Sequence, residues 1–297
     1  MLSSILNADL LAAMLRVATP LLFVALGAAI TLKAGIFNIA IEGLMLIAAF
    51  LAVVLSTYFH SLLIGMLLTI LITVIVALIY GFVIIKLKAD HIIAGLGINL
   101  FAAGITSWLL QSVLDSPGGF SSPTTPEVPV VTLPIFSNIP FISSILQGQN
   151  IITYSSWIIA VVVFLFVHRS KYGLRLRATG EHPVAATTVG ISPVRWQYIS
   201  LILCGVLCAL GGIALSMGSI HLFTKGMTAG RGFISFAAAS FAVGNIPATV
   251  VITYLFALFS SLSIRLGGFE IPTRFIQMIP YLVTLAALVI SRRRIRL

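Results

Sequence analysis

A chain of 297 residues that is 60% hydrophobic and only 8% charged is not a soluble globular protein, since such chains carry about 25% charged residues. One core of this size could not hide so much apolar surface, so lipid must cover most of it. The net charge of +10 raises nucleic acid as a partner, but eleven of the 17 cations fall in the tail, one central loop and the Lys86 turn, which is the pattern of a membrane orientation signal.

Apolar runs fall at 10–32, 39–57, 62–85, 91–111, 151–168, 197–218, 248–264 and 272–290. Each approaches the length a helix needs to span hydrocarbon, roughly 20 residues. None alternates as a lipid-facing barrel strand does. The fold class is therefore an all-α polytopic membrane protein, because helices satisfy their own backbone groups in lipid. With the shorter run at 229–244, about 8–10 transmembrane helices are expected, one of them re-entrant or broken, in a single domain over 1–297.

No basic stretch precedes the first run, which reads as a retained span rather than a cleaved signal peptide. Between the first two runs lies Lys33-Ala34-Gly35-Ile36-Phe37-Asn38. Irregular, polar backbone at that depth is tolerable only where it is buried in protein or lines a wet cavity. Glu42 follows near the start of the second span, and Lys86 and Lys88 share a short turn after the third. The segment 112–150 has no Lys or Arg, only Asp115 and Glu127, and holds Pro117, Pro123, Pro126, Pro129, Pro134 and Pro140. It reads as an extended cap rather than a domain.

The loop at about 169–196 carries Arg169, Lys171, Arg175, Arg177 and Arg195. Within it, Pro183 suits the first turn of a helix and Gly190 the position just past its end. They bracket two turns of small residues, preceded by Gly180 and Glu181 and containing Ala185 and Ala186. A helix that short is not stable alone, so it docks either on its own bundle or on a cytoplasmic partner. Cys204 and Cys208, four apart in an apolar run, read as packing residues.

Further on, Thr224-Lys-Gly-Met227-Thr228-Ala-Gly-Arg231-Gly-Phe233 sets a charge among apolar groups, with glycines at 226, 230 and 232. An ionisable residue at membrane depth is a functional candidate whose partner must be named. A Glu42–Arg231 or Glu42–Lys33 pair is one reading; snorkelling of each to its nearest interface is the other. Arg292, Arg293, Arg294 and Arg296 close the chain. The positive-inside rule puts this tail, the 169–196 loop and the Lys86 turn in the cytoplasm and 112–150 outside. The central loop stays inside only if 229–244 crosses or re-enters, and the N-terminus is outside if 10–32 and 39–57 are single crossings.

There is no G-x-x-x-x-G-K-[ST] loop, H-E-x-x-H, C-x-x-C or G-x-S-x-G, so ATP binding by that loop and the corresponding metal or nucleophile chemistries are excluded. His60, His91, His168, His182 and His221 are scattered and read as interfacial or capping residues. No catalytic residue and no metal site is expected. A gradient-driven transporter needs intramembrane carboxylates facing a cavity, for which only Glu42 qualifies.

The run Ala34-Gly-Ile-Phe-Asn-Ile-Ala-Ile-Glu-Gly-Leu-Met-Leu-Ile-Ala-Ala-Phe50 resembles a signature of ABC-importer permeases for branched-chain amino acids, simple sugars and nucleosides. Ala178-Thr-Gly-Glu-His-Pro-Val-Ala-Ala-Thr-Thr-Val-Gly-Ile191 and Gly226-Met-Thr-Ala-Gly-Arg-Gly-Phe-Ile234 agree, in the right order. The Asn-Ile-x-x-Glu-Gly form looks most like the nucleoside branch. Ala242-Val243-Gly244-Asn245-Ile246-Pro247 departs from relatives that carry a Trp there, and riboflavin or a simple sugar stays an alternative substrate.

The resemblance implies a bacterial inner-membrane, multi-pass permease with a cytoplasmic C-terminus. It would pair with a second permease subunit, a cytoplasmic ATP-binding subunit that holds the ATP and Mg, and an extracytoplasmic binding lipoprotein or periplasmic protein. Gly180, Glu181, Pro183, Ala185, Ala186 and Gly190 become the ATPase coupling segment. Phe37, Asn38, Glu42, Met227, Thr228, Arg231 and Phe233 become the substrate pathway, with Asn38 for hydrogen bonds and Phe37 or Phe233 for stacking.

Overall fold

The computed structural model describes residues 8–131, 145–218 and 221–266. The expected span at 272–290, the arginine tail, Pro134 and Pro140 lie outside the described residues. Ten α-helices are described: α1 (Ala8–Lys33), α2 (Ile41–Tyr58), α3 (Leu62–Gly81), α4 (His91–Ser112), α5 (Ile151–Arg169), α6 (Lys171–Glu181), α7 (Pro183–Thr188), α8 (Pro193–Ser216), α9 (Arg231–Phe241) and α10 (Ile246–Leu266). Helix α3 runs on through a π-turn, Phe82–Lys86. Four two-residue strands, β1 (Gly119–Phe120), β2 (Val130–Val131), β3 (Gln149–Asn150) and β4 (Phe223–Thr224), form two antiparallel ribbons, β1–β4 and β2–β3.

Seven of the described helices, α1–α5, α8 and α10, are long and apolar enough to cross a membrane. Burial sorts them. The hydrophobic windows of α1, α2 and α8 are 72%, 67% and 67% buried, whereas those of α3, α4 and α5 are only 22%, 17% and 28% buried. The first three make a central stack, and the others clad it with apolar outer faces such as Leu63, Leu67 and Leu71 of α3. Small residues let the central helices close: a β-carbon on Gly212 of α8 would stand 2.6 Å from Ala48 and from the Met45 carbonyl of α2, the close approach that glycine permits between membrane helices. Pro20 sits buried inside α1 without ending it, as proline can where neighbouring helices enclose the freed backbone.

Helix ends are tied locally. Ser61, Asp90, Asn150 and Ser170 cap α3, α4, α5 and α6, each side chain accepting from a first-turn N–H, which satisfies donors that have no intrahelical partner. The α1 start lies beside the β2–β3 ribbon, where the buried Gln149 Nε2 donates to the Ala12 carbonyl at 3.3 Å. The α1 end packs on α6, where Gly35 lies against Gly180. Helix α1 therefore runs from the ribbon face to the arginine-rich face, and the helices that follow alternate.

Candidate functional site: a junction of two broken crossings

Two crossings are broken, at nearly the same depth. Gly27 of α1 and Asn38 both lie against Cys204 of α8: a β-carbon on Gly27 would be 3.2 Å from the Cys204 sulfur, and Asn38 Nδ2 donates to it at 3.4 Å. Gly27 precedes the end of α1 by six residues, about 9 Å at 1.5 Å per residue. The chain thus leaves α1 at Lys33, climbs back through the bundle as non-helical backbone, and begins α2 well inside it. The expected irregular segment at 33–38 is this climb.

The second break is the 229–244 run. From the β1–β4 ribbon, where Phe223 packs edge-on to Phe50 at 5.2 Å, the chain descends through turns to Gly230 and only there starts α9. Helix α9 has 11 residues, about 16 Å, or half the ~30 Å of hydrocarbon. It ends beside the α1 terminus, with Gly244 against the Ala29 carbonyl and the Lys33 methylenes. Ribbon, turn and half-helix together make one crossing, so the expected run crosses as a broken segment instead of spanning as one helix.

Helices α2 and α9 point in opposite directions from this level, so two N-termini with their positive dipole ends meet at membrane depth. Glu42, in the first turn of α2, reaches across. Its Oε1 accepts from the Gly230 N–H at 2.9 Å and its Oε2 from the Gly232 N–H at 2.7 Å. The carboxylate therefore caps α9, where negative charge is favoured and two orphan donors need acceptors. Backbone shape makes this possible: Gly230 adopts φ 82° and Ala229 φ 46°, left-handed values that cost a non-glycine residue of order 1 kcal/mol. A β-carbon on Gly232 would stand 2.6 Å from the Glu42 Cα, so only glycine fits.

Asn99 of α4 ties down the other N-terminus. Its Oδ1 accepts from Gly43 N at 2.7 Å and its Nδ2 donates to the Ile39 carbonyl at 3.1 Å. Asn38 Oδ1 accepts from Ala40 N at 3.0 Å, and the buried Tyr80 hydroxyl is within reach of the Phe37 and His91 carbonyls, at 3.3 and 3.2 Å. Asn99 and Tyr80 are not among the residues singled out from the sequence; a lone amide in the middle of an apolar run is the signal by which Asn99 could have been found.

The candidate pathway residues thus separate. Phe37 and Phe233 are 42% and 41% exposed, whereas Asn38 is fully buried with its amide committed within the chain. Phe37 packs edge-on to Phe236 of α9 at 4.6 Å, and Phe233 lies one turn before Phe236, on the same helix face. Met227 and Thr228 are buried beneath the turn. Arg231 Nη1 donates to the Met227 carbonyl at 2.7 Å, so its guanidinium closes its own turn. Of the two ion pairs considered for Glu42, the one with Lys33 does not form, because Lys33 lies at the far end of the 34–40 segment against Gly244.

On the arginine-rich face, Gly180 abuts the α1–α2 turn so closely that a β-carbon would collide with the Lys33 carbonyl. Helix α7 has Pro183 in its first turn and Gly190 past its end at φ 79°, with Gly190 N and Ile191 N donating to the Thr187 and Ala186 carbonyls at 3.0 and 2.9 Å. Ala186 is buried, while Pro183, Ala185 and Glu181 are exposed. Val184 and Val189 stand 79% and 72% exposed: this short helix offers apolar side chains outward. No cluster of three or more His, Cys, Asp or Glu is found among the described residues.

Comparison with known proteins agrees with this architecture. The family model described as the permease component of branched-chain amino acid transport systems matches residues 10–288. The chain is 32% identical to a nucleoside ABC transporter permease protein of Lactococcus lactis, over 94% of this chain and 90% of that one. It is 30% identical to a putative glucose ABC transporter permease protein of Haloferax volcanii, over 87% and 78%, and 29% identical to a guanosine ABC transporter permease protein of Bacillus subtilis, over 91% and 88%. No solved structure matches the chain. Seven spanning helices, two broken crossings and this kinship place the chain in the branched-chain amino acid transport system permease family, as a multi-pass ABC transporter permease.

Proposed function

We propose that this permease moves a nucleoside into the cell by alternating access, driven by a separate ATP-binding subunit that holds ATP and Mg and docks on α7. The observation that carries this reading is the junction of two half-crossings at Glu42. Broken helices at membrane depth are where transporters build substrate sites. The Glu42 carboxylate is committed to backbone N–H groups and the Arg231 guanidinium to a backbone carbonyl, so both charges are already solvated by the chain, with Phe37 and Phe233 beside them. An uncharged molecule with an aromatic ring and hydroxyls suits that surface better than an anion or a bare ion. Two of the relatives are nucleoside or guanosine permeases by name.

A second permease subunit and an extracytoplasmic binding protein complete the proposed transporter. Lactococcus lactis and Bacillus subtilis each carry a second permease protein of the same named system that also resembles this chain, which supports a paired rather than a solitary subunit. The C-terminus lies in the cytoplasm in this reading, and the Phe37, Asn38, Glu42, Met227, Thr228, Arg231 and Phe233 region serves as the pathway. Phe37 and Phe233 meet substrate, while Asn38, Met227, Thr228 and Arg231 hold the turns. A simple sugar is the second reading, favoured by the Haloferax volcanii relative.

Uptake of labelled guanosine, adenosine and uridine, with and without the gene, tests the substrate, with unlabelled glucose, ribose and riboflavin as competitors. Saturable nucleoside uptake that disappears with the gene and resists all three competitors supports the proposal. Competition by glucose or ribose moves the assignment to sugars, and competition by riboflavin moves it to riboflavin.

A further inference from the structure

On the arginine-rich face a cavity of about 410 Å³ opens between the end of α5, helix α6 and the α7–α8 link. Phe166, Ile199, Tyr172, Trp196, Arg175 and Arg195 line it; Phe166 and Ile199 are half-buried, and the two arginines are exposed. Trp196 is buried at 7% exposure and lies 6.2 Å from the Tyr172 ring. Both guanidinium groups are exposed and form no ion pair or hydrogen bond among the described residues. The whole stretch 169–196 contains a single acidic residue, Glu181, which does not line the cavity.

The α8 N-terminus opens into the same space, with Ser192 and Gly190 in the wall. Its N-cap residue, Ser192, makes no side-chain cap, so the Val194 and Arg195 N–H groups of a 24-residue helix stay open to an anion. Arg175, Arg195 and this dipole end are three sources of positive potential around one cavity. The cavity also straddles a boundary: Phe166 and Ile199 belong to spanning helices, Arg175 to α6 and Arg195 to the first turn of α8, and tyrosine and tryptophan favour the headgroup level.

We propose that this cavity binds the headgroup of an anionic phospholipid, with its phosphate between Arg175 and Arg195 and the first acyl carbons against Phe166 and Ile199. Basic pockets between spanning helices at a cytoplasmic interface recognise such headgroups. Half-buried apolar side chains beside exposed arginines fit an amphiphile better than a free anion. Because Val189, Gly190 and Ile191 form one wall, a bound lipid braces the link that joins α7 to α8.

The test is native mass spectrometry of the purified full-length chain titrated with phosphatidylglycerol, phosphatidylcholine of the same acyl chains, or inorganic phosphate. Phosphatidylglycerol should bind more tightly than phosphatidylcholine, and an Arg175→Gln, Arg195→Gln double variant should weaken it about thirtyfold, given the usual worth of one arginine near an anionic surface. A Lys86→Gln, Lys88→Gln variant, which removes two cations of the same face elsewhere, should leave it unchanged. Quenching of tryptophan fluorescence by brominated phosphatidylglycerol, reduced in Trp196→Phe, checks the position without altering the arginines. Equal binding of the two lipids, or loss of preference in both double variants, would overturn the proposal. Displacement of phosphatidylglycerol by inorganic phosphate at equal concentration would overturn the lipid assignment in favour of a free anion. A site blocked by an acidic side chain once the ATP-binding subunit is bound would overturn it in favour of that partner.

Discussion

Glu42 shows how a charge is kept at membrane depth at low cost. Two N–H groups at the α9 N-terminus solvate its carboxylate at 2.7 and 2.9 Å, in place of water. Hydrogen bonds to a charged group are worth about 1.5–3 kcal/mol each. Glu42→Gln keeps the shape but turns one acceptor into a donor facing a donor. We expect a loss of about 2 kcal/mol, read as an unfolding midpoint lower by about 5 °C in detergent. Gly232→Ala acts sterically instead, since its β-carbon meets the Glu42 backbone at 2.6 Å. Helix α9 must then shift, and transport should fall at least about tenfold, or ~1.4 kcal/mol in barrier terms, while the chain still inserts. Wild-type uptake by the Gly232→Ala variant would show that the junction has slack that these distances do not.

Helices and breaks were legible in the sequence to different degrees. Continuous apolar runs predict α1–α5, α8 and α10 to within a few residues, because hydrocarbon demands length and gives no other choice. The breaks were legible as places where glycine and charge interrupt such runs: Lys33 to Asn38 and Thr224 to Arg231. What stayed hidden was their convergence. That Glu42 reaches Gly230 and Gly232 depends on the packing of α2 against α9, nearly 190 positions apart in sequence, and no local pattern records it. Asn38 illustrates the same limit, since an amide in such a segment reads as a ligand group until its burial against Cys204 is seen. The short α7 was legible from Pro183 and Gly190, whereas its exposed valines were not singled out. Substituting both Val184 and Val189 with Asp should leave the unfolding free energy within about 0.5 kcal/mol of wild type, as exposed positions do. Co-purification of the ATP-binding subunit should nevertheless be lost. Retained co-purification would move the docking surface away from α7.

At the scale of the whole molecule, the central stack of α1, α2 and α8 is buried while α3, α4 and α5 present apolar faces outward. The two sides of the membrane follow from charge: arginines gather around α6 and α7, and the ribbons carry none. Both cysteines are buried, so single cysteines added at exposed sites report cleanly. An impermeant maleimide should label Val113→Cys in intact cells and leave Val184→Cys unlabelled until the cells are opened. The opposite pattern would invert the orientation and remove α7 from reach of any cytoplasmic partner.

The most direct test of the central claim is saturable uptake of labelled guanosine in cells lacking the gene, complemented with the intact chain or with Glu42→Gln. The intact chain should restore uptake, and Glu42→Gln, present in the membrane at equal amount, should restore at most about a tenth of it. Full uptake with Glu42→Gln would contradict the role given to the junction, and uptake that never depended on the gene would contradict the nucleoside reading itself.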